Sequence, residues 1–213
     1  MRRPARVAAL VAVVLAFALA LAFTPPRGPR SIRQFDPVRL AGLELRMWQA
    51  YYAKDRARLF GLLVTMLREQ YRYSWATATL EAFHLARAAA TFADLKGNYD
   101  QVLPDLEAAY ATARSWLHAQ FDPRAVARAE LGWWVARRIR GQNSAEQVGR
   151  LIAEEYGLLY ETAPEKVAAA ALLRATAAKL RDDDARVPDW DRIGRLLQES
   201  YRALLAALST ENV

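Results

Sequence analysis

The chain has 213 residues, 54% of them apolar, with 9 Gly and 9 Pro, which excludes a disordered or collagen-like chain and suits one domain or a compact pair. It has no Cys, so disulfides, thiolate metal sites, cysteine nucleophiles and a lipidated N-terminal Cys are excluded together. The formal charge is +7, but five Arg and no acid fall within residues 1–30, leaving 25 basic against 23 acidic groups in the rest; nucleic acid is therefore not an expected partner.

The first element is the run 7–23, 17 residues without a polar side chain, preceded by Arg2, Arg3 and Arg6 and followed by Thr24-Pro25-Pro26. A helix of that length is at the short end of what crosses a bilayer. Residues 1–23 read as an uncleaved signal anchor, with a cleaved signal peptide as the alternative because Ala20 and Ala22 offer small residues to a signal peptidase. The expected place is the cell membrane, single-pass, with the body extracytoplasmic; cleavage would make it secreted or periplasmic. Orientation rests on a one-charge margin, Arg2, Arg3, Arg6 and the amino group before the segment against Arg27, Arg30 and Arg33 after it. Residues 24–36, rich in Pro, Gly and Arg, are expected to form a stiff tether.

From Asp36 onward apolar residues recur at three and four, so 37–208 reads as an all-α domain, with 209–213 a short tail. Asp36-Pro37 and Asp122-Pro123 place a capping carboxylate before a proline, and Ser144 with Gln147 and Thr162 with Glu165 have capping-box spacing. Breaks near Lys54, Tyr73, Gly97, Phe121, Gly141, Tyr160 and 183–188 give eight helices. Pro104 must either kink its helix or mark a late start.

One apolar pattern ending in tyrosine appears four times at spacings of three, four and four: Phe60, Leu63, Leu67, Tyr71; Tyr99, Val102, Leu106, Tyr110; Ala145, Val148, Ile152, Tyr156; and Trp190, Ile193, Leu197, Tyr201. That spacing keeps each set on one helical stripe. Glu69, Glu154 and Glu199 stand two residues before three of these tyrosines. The preceding helices align on Glu44, Glu81, Glu130 and Ala168. The expectation is four antiparallel helix pairs, stacked as a short solenoid or closed into a bundle.

This pairing resembles tetratricopeptide-type arrays over 37–208, although the period is longer than theirs and their Trp-x-x-Leu-Gly-x-x-Tyr signature is absent. The segments 44–52 (ELRMWQAYY) and 130–138 (ELGWWVARR) also resemble bacterial single-anchor helical proteins, a likeness to which no activity is attached. The array resemblance implies that the first helices line a concave binding face, here Glu44, Arg46, Glu81, Arg87, Glu130 and Arg137.

The remaining chemistry is sparse. Glu81 and His84 have the Glu-x-x-His spacing of di-metal bundles, but the second copy is missing; a mononuclear alternative gathers Glu44, Glu81, His84 and Glu130. Adjacent Trp133 and Trp134 point about 100° apart on a helix, so one is expected in the core and one on a neighbouring helix. Tyr51-Tyr52, Tyr71 to Tyr73 and Tyr156 to Tyr160 read mainly as core stripe, and Asp182 to Asp184 as a solvated helix end. No phosphate loop, Gly-x-Ser-x-Gly elbow or His-Glu-x-x-His is present, and no cofactor is expected. The sequence thus points to a membrane-anchored helical-repeat scaffold binding a protein or peptide in the bacterial envelope, rather than to an enzyme. The alternative is a small-molecule or metal-dependent enzyme on a helical bundle.

Overall fold

The computed structural model describes residues 3–184 and 186–209; the first two residues and the tail beyond Ser209 lie outside the described residues. Among the described residues there are nine α-helices and no strand: α1 (Arg3–Phe23), α2 (Pro37–Tyr52), α3 (Arg56–Tyr71), α4 (Trp75–Asp94), α5 (Leu103–Leu117), α6 (Pro123–Ala136), α7 (Ala145–Leu159), α8 (Pro164–Asp183) and α9 (Trp190–Ser209). The protein is all-α.

The caps follow the sequence signals at three helix starts. Asp36 accepts hydrogen bonds from the N–H groups of Val38 and Arg39, Asp122 from that of Arg124, and Ser144 from that of Gln147, satisfying amides that have no partner within the helix. The α8 start differs: the cap position is Ala163, one residue beyond Thr162, and Pro164 opens the helix. Pro104 marks a late start. A 3-10 turn, Tyr99–Val102, precedes α5, and the proline occupies its first turn, where no amide donor is needed.

Each helix from α2 to α9 packs on the next, and α9 returns to pack on α2. Short connections make successive helices antiparallel, so eight helices close a ring. Of the two arrangements that the sequence allows, the closed one is present. Its seam is a distinct apolar cluster in which Leu40 and Leu43 of α2 meet Ala177 of α8 and Ile193, Leu197 and Tyr201 of α9. The remaining core runs continuously from α3 to α8 and takes in Leu204 and Leu208 of α9. Burial of this apolar surface against successive neighbours is what holds the ring, since helices this short are marginal alone.

The tightest joint is between α7 and α8. A Cβ placed on Gly149 would lie 3.1 Å from the Leu172 Cα, so glycine here is what lets the two backbones approach. Gly149→Val is expected to cost about 1–3 kcal/mol through overpacking, checked by the midpoint of denaturant unfolding.

The segment before α2 is not a free tether. Ile32 is buried in the core, the Arg33 guanidinium donates to the carbonyl of Tyr160, Arg30 lies over the Trp116 ring at 3.8 Å, and Phe35 packs edge-on against Tyr201. The linker thus runs along the end of the ring formed by the C-termini of α5 and α7. α1 touches α4 and leaves Val7, Leu10, Val13, Phe17 and Phe23 more than half exposed. No helix among the described residues is long and apolar enough to cross a membrane.

Candidate functional site

The ring encloses a cavity of 450 Å³, to which α2 to α9 all contribute side chains, a size typical of small-molecule sites. The four stripe tyrosines, Tyr71, Tyr110, Tyr156 and Tyr201, all line it. So do Glu44, Glu81 and Glu130 from α2, α4 and α6. Three of the chamber's acids thus come from even-numbered helices, and the four stripe tyrosines from odd-numbered ones. The alignment of α8 through Ala168 needs correction: the α8 side chain that enters the chamber at this level is Arg174, six residues on.

Arg174 is the chamber's internal cation. Its Nε and Nη2 both donate to the Glu44 Oε1, at 2.9 and 2.7 Å, and its guanidinium carbon stands 4.9 Å from the Trp133 ring centroid. Burial opposes its charge, but the attraction of Glu44 and Glu155 outweighs that and holds it well above the ordinary arginine range. Glu155, from α7, accepts a hydrogen bond from the Trp133 indole N–H. The single hydroxyl proton of Tyr110 faces two carboxylates, Glu130 at 2.8 Å and Glu155 at 3.4 Å. Burial and the neighbouring Glu130 push the Glu155 carboxyl up to about 8, and burial also raises Glu130 against its hydrogen bond from Tyr110. Two buried acids this close do not both ionise readily.

Glu81 is raised as well, by burial opposed by a hydrogen bond from Thr112 and the influence of His84. Both Glu44 and Glu81 are only 2% exposed, and the second oxygen of each, Oε2, has no hydrogen-bond partner among the described residues. Buried polar atoms without partners are rare and costly. These two are on residues that line the cavity.

The two ends of the chamber differ. Its floor is aromatic: Tyr71 and Tyr73 stack at 5.3 Å, Tyr73 meets Trp116 edge-on, and Gln70 donates to the Tyr160 hydroxyl at 3.2 Å. The rim, formed by the C-terminal ends of α2, α4, α6 and α8, is polar. There Arg137 of α6 donates twice to Asp182 of α8, at 3.0 Å each, and once to the Tyr52 hydroxyl of α2, at 2.9 Å. Helices α2, α6 and α8 are not ring neighbours of one another, so Arg137 bridges across the mouth. Next to it, Arg138 donates to the carbonyls of Phe92 and Leu95 and ties α6 to the end of α4.

Of the six residues expected on one binding face, Glu44, Glu81, Glu130 and Arg137 come together in the chamber. Arg46 and Arg87 do not: Arg46 is exposed, and Arg87 pairs with Asp105 beside His84. Burial pushes the Asp105 carboxyl up, but hydrogen bonds from Arg87 and His84 prevail and hold it below the usual range. The alternative metal set is not assembled, because His84 Nδ1 lies 2.9 Å from Asp105 and Glu44 is held by Arg174. Among the described residues no group of three or more His, Asp or Glu side chains could hold a metal ion. Trp133 is buried and Trp134 packs on Phe92 of α4 at 5.1 Å, the divergence that helical geometry requires. Asp182 is a rim ligand of Arg137, whereas Asp183 pairs with Lys179 one turn back.

Two chamber residues were not singled out by the pattern of stripes. Arg174 is the one charge within 167–178, an otherwise apolar and small run, and that isolation is the available signal. Glu155 sits one residue before Tyr156. The glutamates two residues before the tyrosines, Glu154 and Glu199, are exposed, since a position two residues away points about 200° round the helix. No family model matches the chain, and neither a curated protein nor a solved structure matches it.

Proposed function

We propose that this protein is a small-molecule receptor whose ligand enters the closed helical ring from the rim and is held among the chamber's acids and tyrosines. The observation that carries this reading is the 450 Å³ cavity, whose lining residues include two glutamates, Glu44 and Glu81, each with a buried oxygen that has no hydrogen-bond partner among the described residues. A packed core would fill such a space with side chains. A chamber inside the ring with a polar rim favours a small ligand over a protein partner. Glu44, Glu81 and Glu130 turn inward, away from any surface that a folded partner touches. The four tyrosine-ended stripes are the recurring unit of the ring, each contributed with its preceding helix as one of four pairs. In the same reading α1, with its exposed apolar side chains, inserts into lipid and tethers the ring to a membrane, the linker anchoring the floor and the rim facing away.

The absence of cysteine makes the test clean. In the full-length chain, Ala109→Cys puts a thiol on the chamber wall, and Ala175→Cys puts one in the core, where that alanine is 1% exposed. Methyl methanethiosulfonate is expected to modify the first and spare the second. Arg137→Ala is expected to speed the first reaction by about tenfold or more, as removal of the bridge unlatches the mouth. Equal protection of both thiols would mean that the cavity is sealed, and the receptor reading would fail.

A further inference from the structure

The charge inside the chamber is one-sided. Below the rim, the described lining carries the carboxyl groups of Glu44, Glu81, Glu130 and Glu155 against the single guanidinium of Arg174. Arg174 is already paired, its Nε and Nη2 both on one oxygen of Glu44. An anionic ligand would have to share that cation with Glu44 and sit beside three further acids. A neutral ligand can donate hydrogen bonds but brings no countercharge to acids whose ionisation burial makes costly. Aromatic rings complete the wall: Trp133 and the tyrosines at 71, 110, 156 and 201 all face the cavity. Aromatic faces beside carboxylates are the surroundings in which ammonium groups are recognised, by cation–π attraction together with charge-assisted hydrogen bonds.

We infer that the chamber's ligand is a small organic cation, an amine whose ammonium group is held among the chamber's carboxylates while its hydrocarbon packs on Trp133 and the tyrosines. This rests on the receptor reading above and names its ligand class. An ammonium supplies both missing components at once. It brings hydrogen-bond donors, and a positive charge that lets the chamber's acids ionise. The raised carboxyls of Glu81, Glu130 and Glu155 accord with this, being held partly neutral while no countercharge is near. Binding is therefore expected to release protons to solvent, the reverse of what binding of a carboxylate would do.

The test is a matched series on one scaffold: phenethylamine, 2-phenylethanol and phenylacetate, titrated calorimetrically into the full-length chain in phosphatidylcholine nanodiscs, with empty nanodiscs as the blank. The amine is expected to bind about tenfold or more tighter than the alcohol, the size of one charge-assisted hydrogen bond, and phenylacetate more weakly than either. Glu81→Gln is expected to weaken the amine by about tenfold and to leave the alcohol within about twofold. Ala109→Trp, which fills the chamber, is expected to abolish binding of both. An alcohol or acid that binds as tightly as the amine would overturn the cation while leaving a small-molecule chamber in place. Binding of the amine that survives Ala109→Trp would place it elsewhere and overturn the inference. No binding by any member up to about 10 mM would remove the receptor reading as well. Should Glu81→Gln fail to fold, the order of affinities on the unmodified chain decides the question.

Discussion

Arg174→Met is expected to cost about 3–5 kcal/mol of folding stability, the range for stripping one partner from a buried ion pair. The pair is deep: the Arg174 side chain is 17% exposed and the Glu44 side chain 3%. Methionine preserves much of the volume against Trp133, so the loss reports charge rather than a cavity. Without the guanidinium, Glu44 loses the two hydrogen bonds that it accepts from Arg174, and Glu130 and Glu155 lose its attraction. The double variant Arg174→Met with Glu44→Gln is expected to recover part of that cost, because the orphaned charge is then gone. Denaturant unfolding of the two single variants and the double variant measures the coupling. A loss below about 1 kcal/mol, the value of a surface ion pair, would mean that Arg174 and Glu44 do not form a buried pair.

The second large effect is a dependence of stability on pH that runs opposite to the usual acid denaturation. Glu155 has its carboxyl pushed up to about 8 in the folded chain by burial and by Glu130, from an ordinary value of 4.5. The folded state therefore keeps a proton that the unfolded chain has released, and stability must fall as pH rises between those two values. That contribution is fully present below the unfolded value and is lost as pH passes through about 8. The groups that face Glu155 are Tyr110 of α5, Glu130 and Trp133 of α6, Tyr156 and Tyr160 of α7, Arg174 of α8 and Tyr71 of α3. Of these only Glu130 is another raised carboxyl, and it acts in the same direction. Asp105 acts oppositely: held low by Arg87 and His84, it contributes above its ordinary value and loses that contribution as pH falls. The melting temperature is thus expected to be higher at pH 6 than at pH 9, and Glu155→Gln is expected to flatten the slope. A melting temperature that climbs steadily from pH 6 to 9 would contradict the buried acid pair.

Much of the architecture is legible in the amino-acid order because helices advertise their ends. Asp36, Asp122 and Ser144 cap where their spacing predicts, and Pro104 excludes a helix start before Leu103. Ring closure is a different kind of fact. It depends on how α9 meets α2 across the whole chain, and the side chains that seal the seam, such as Leu40 and Leu197, are the same apolar residues that an open array would use between neighbours. The tyrosine stripe identified chamber-facing positions without revealing that they face a chamber, since a stripe that packs and a stripe that lines a cavity have the same period. Glu44, Glu81 and Glu130 stood out by register. Arg174 did not, because one charge in an alanine-rich helix carries no period, and its meaning comes from Glu44, 130 residues earlier. Thr162 illustrates the limit of local rules: Pro164 sets the helix start, and the cap moves to a residue with no capping side chain.

Everything proposed for the chamber requires that the ring be closed, and the seam tests this directly. A Cβ on Gly194 of α9 would lie 2.9 Å from the Leu45 Cδ2 of α2, so Leu45→Cys with Gly194→Cys places two thiols within reach of a short dithiol crosslinker in a chain that has no other cysteine. The account predicts near-complete crosslinking within single chains, identified by the mass of the bridged peptide. Free thiols that crosslink only between chains would mean that α2 and α9 are the separate ends of an open array, and that no chamber exists.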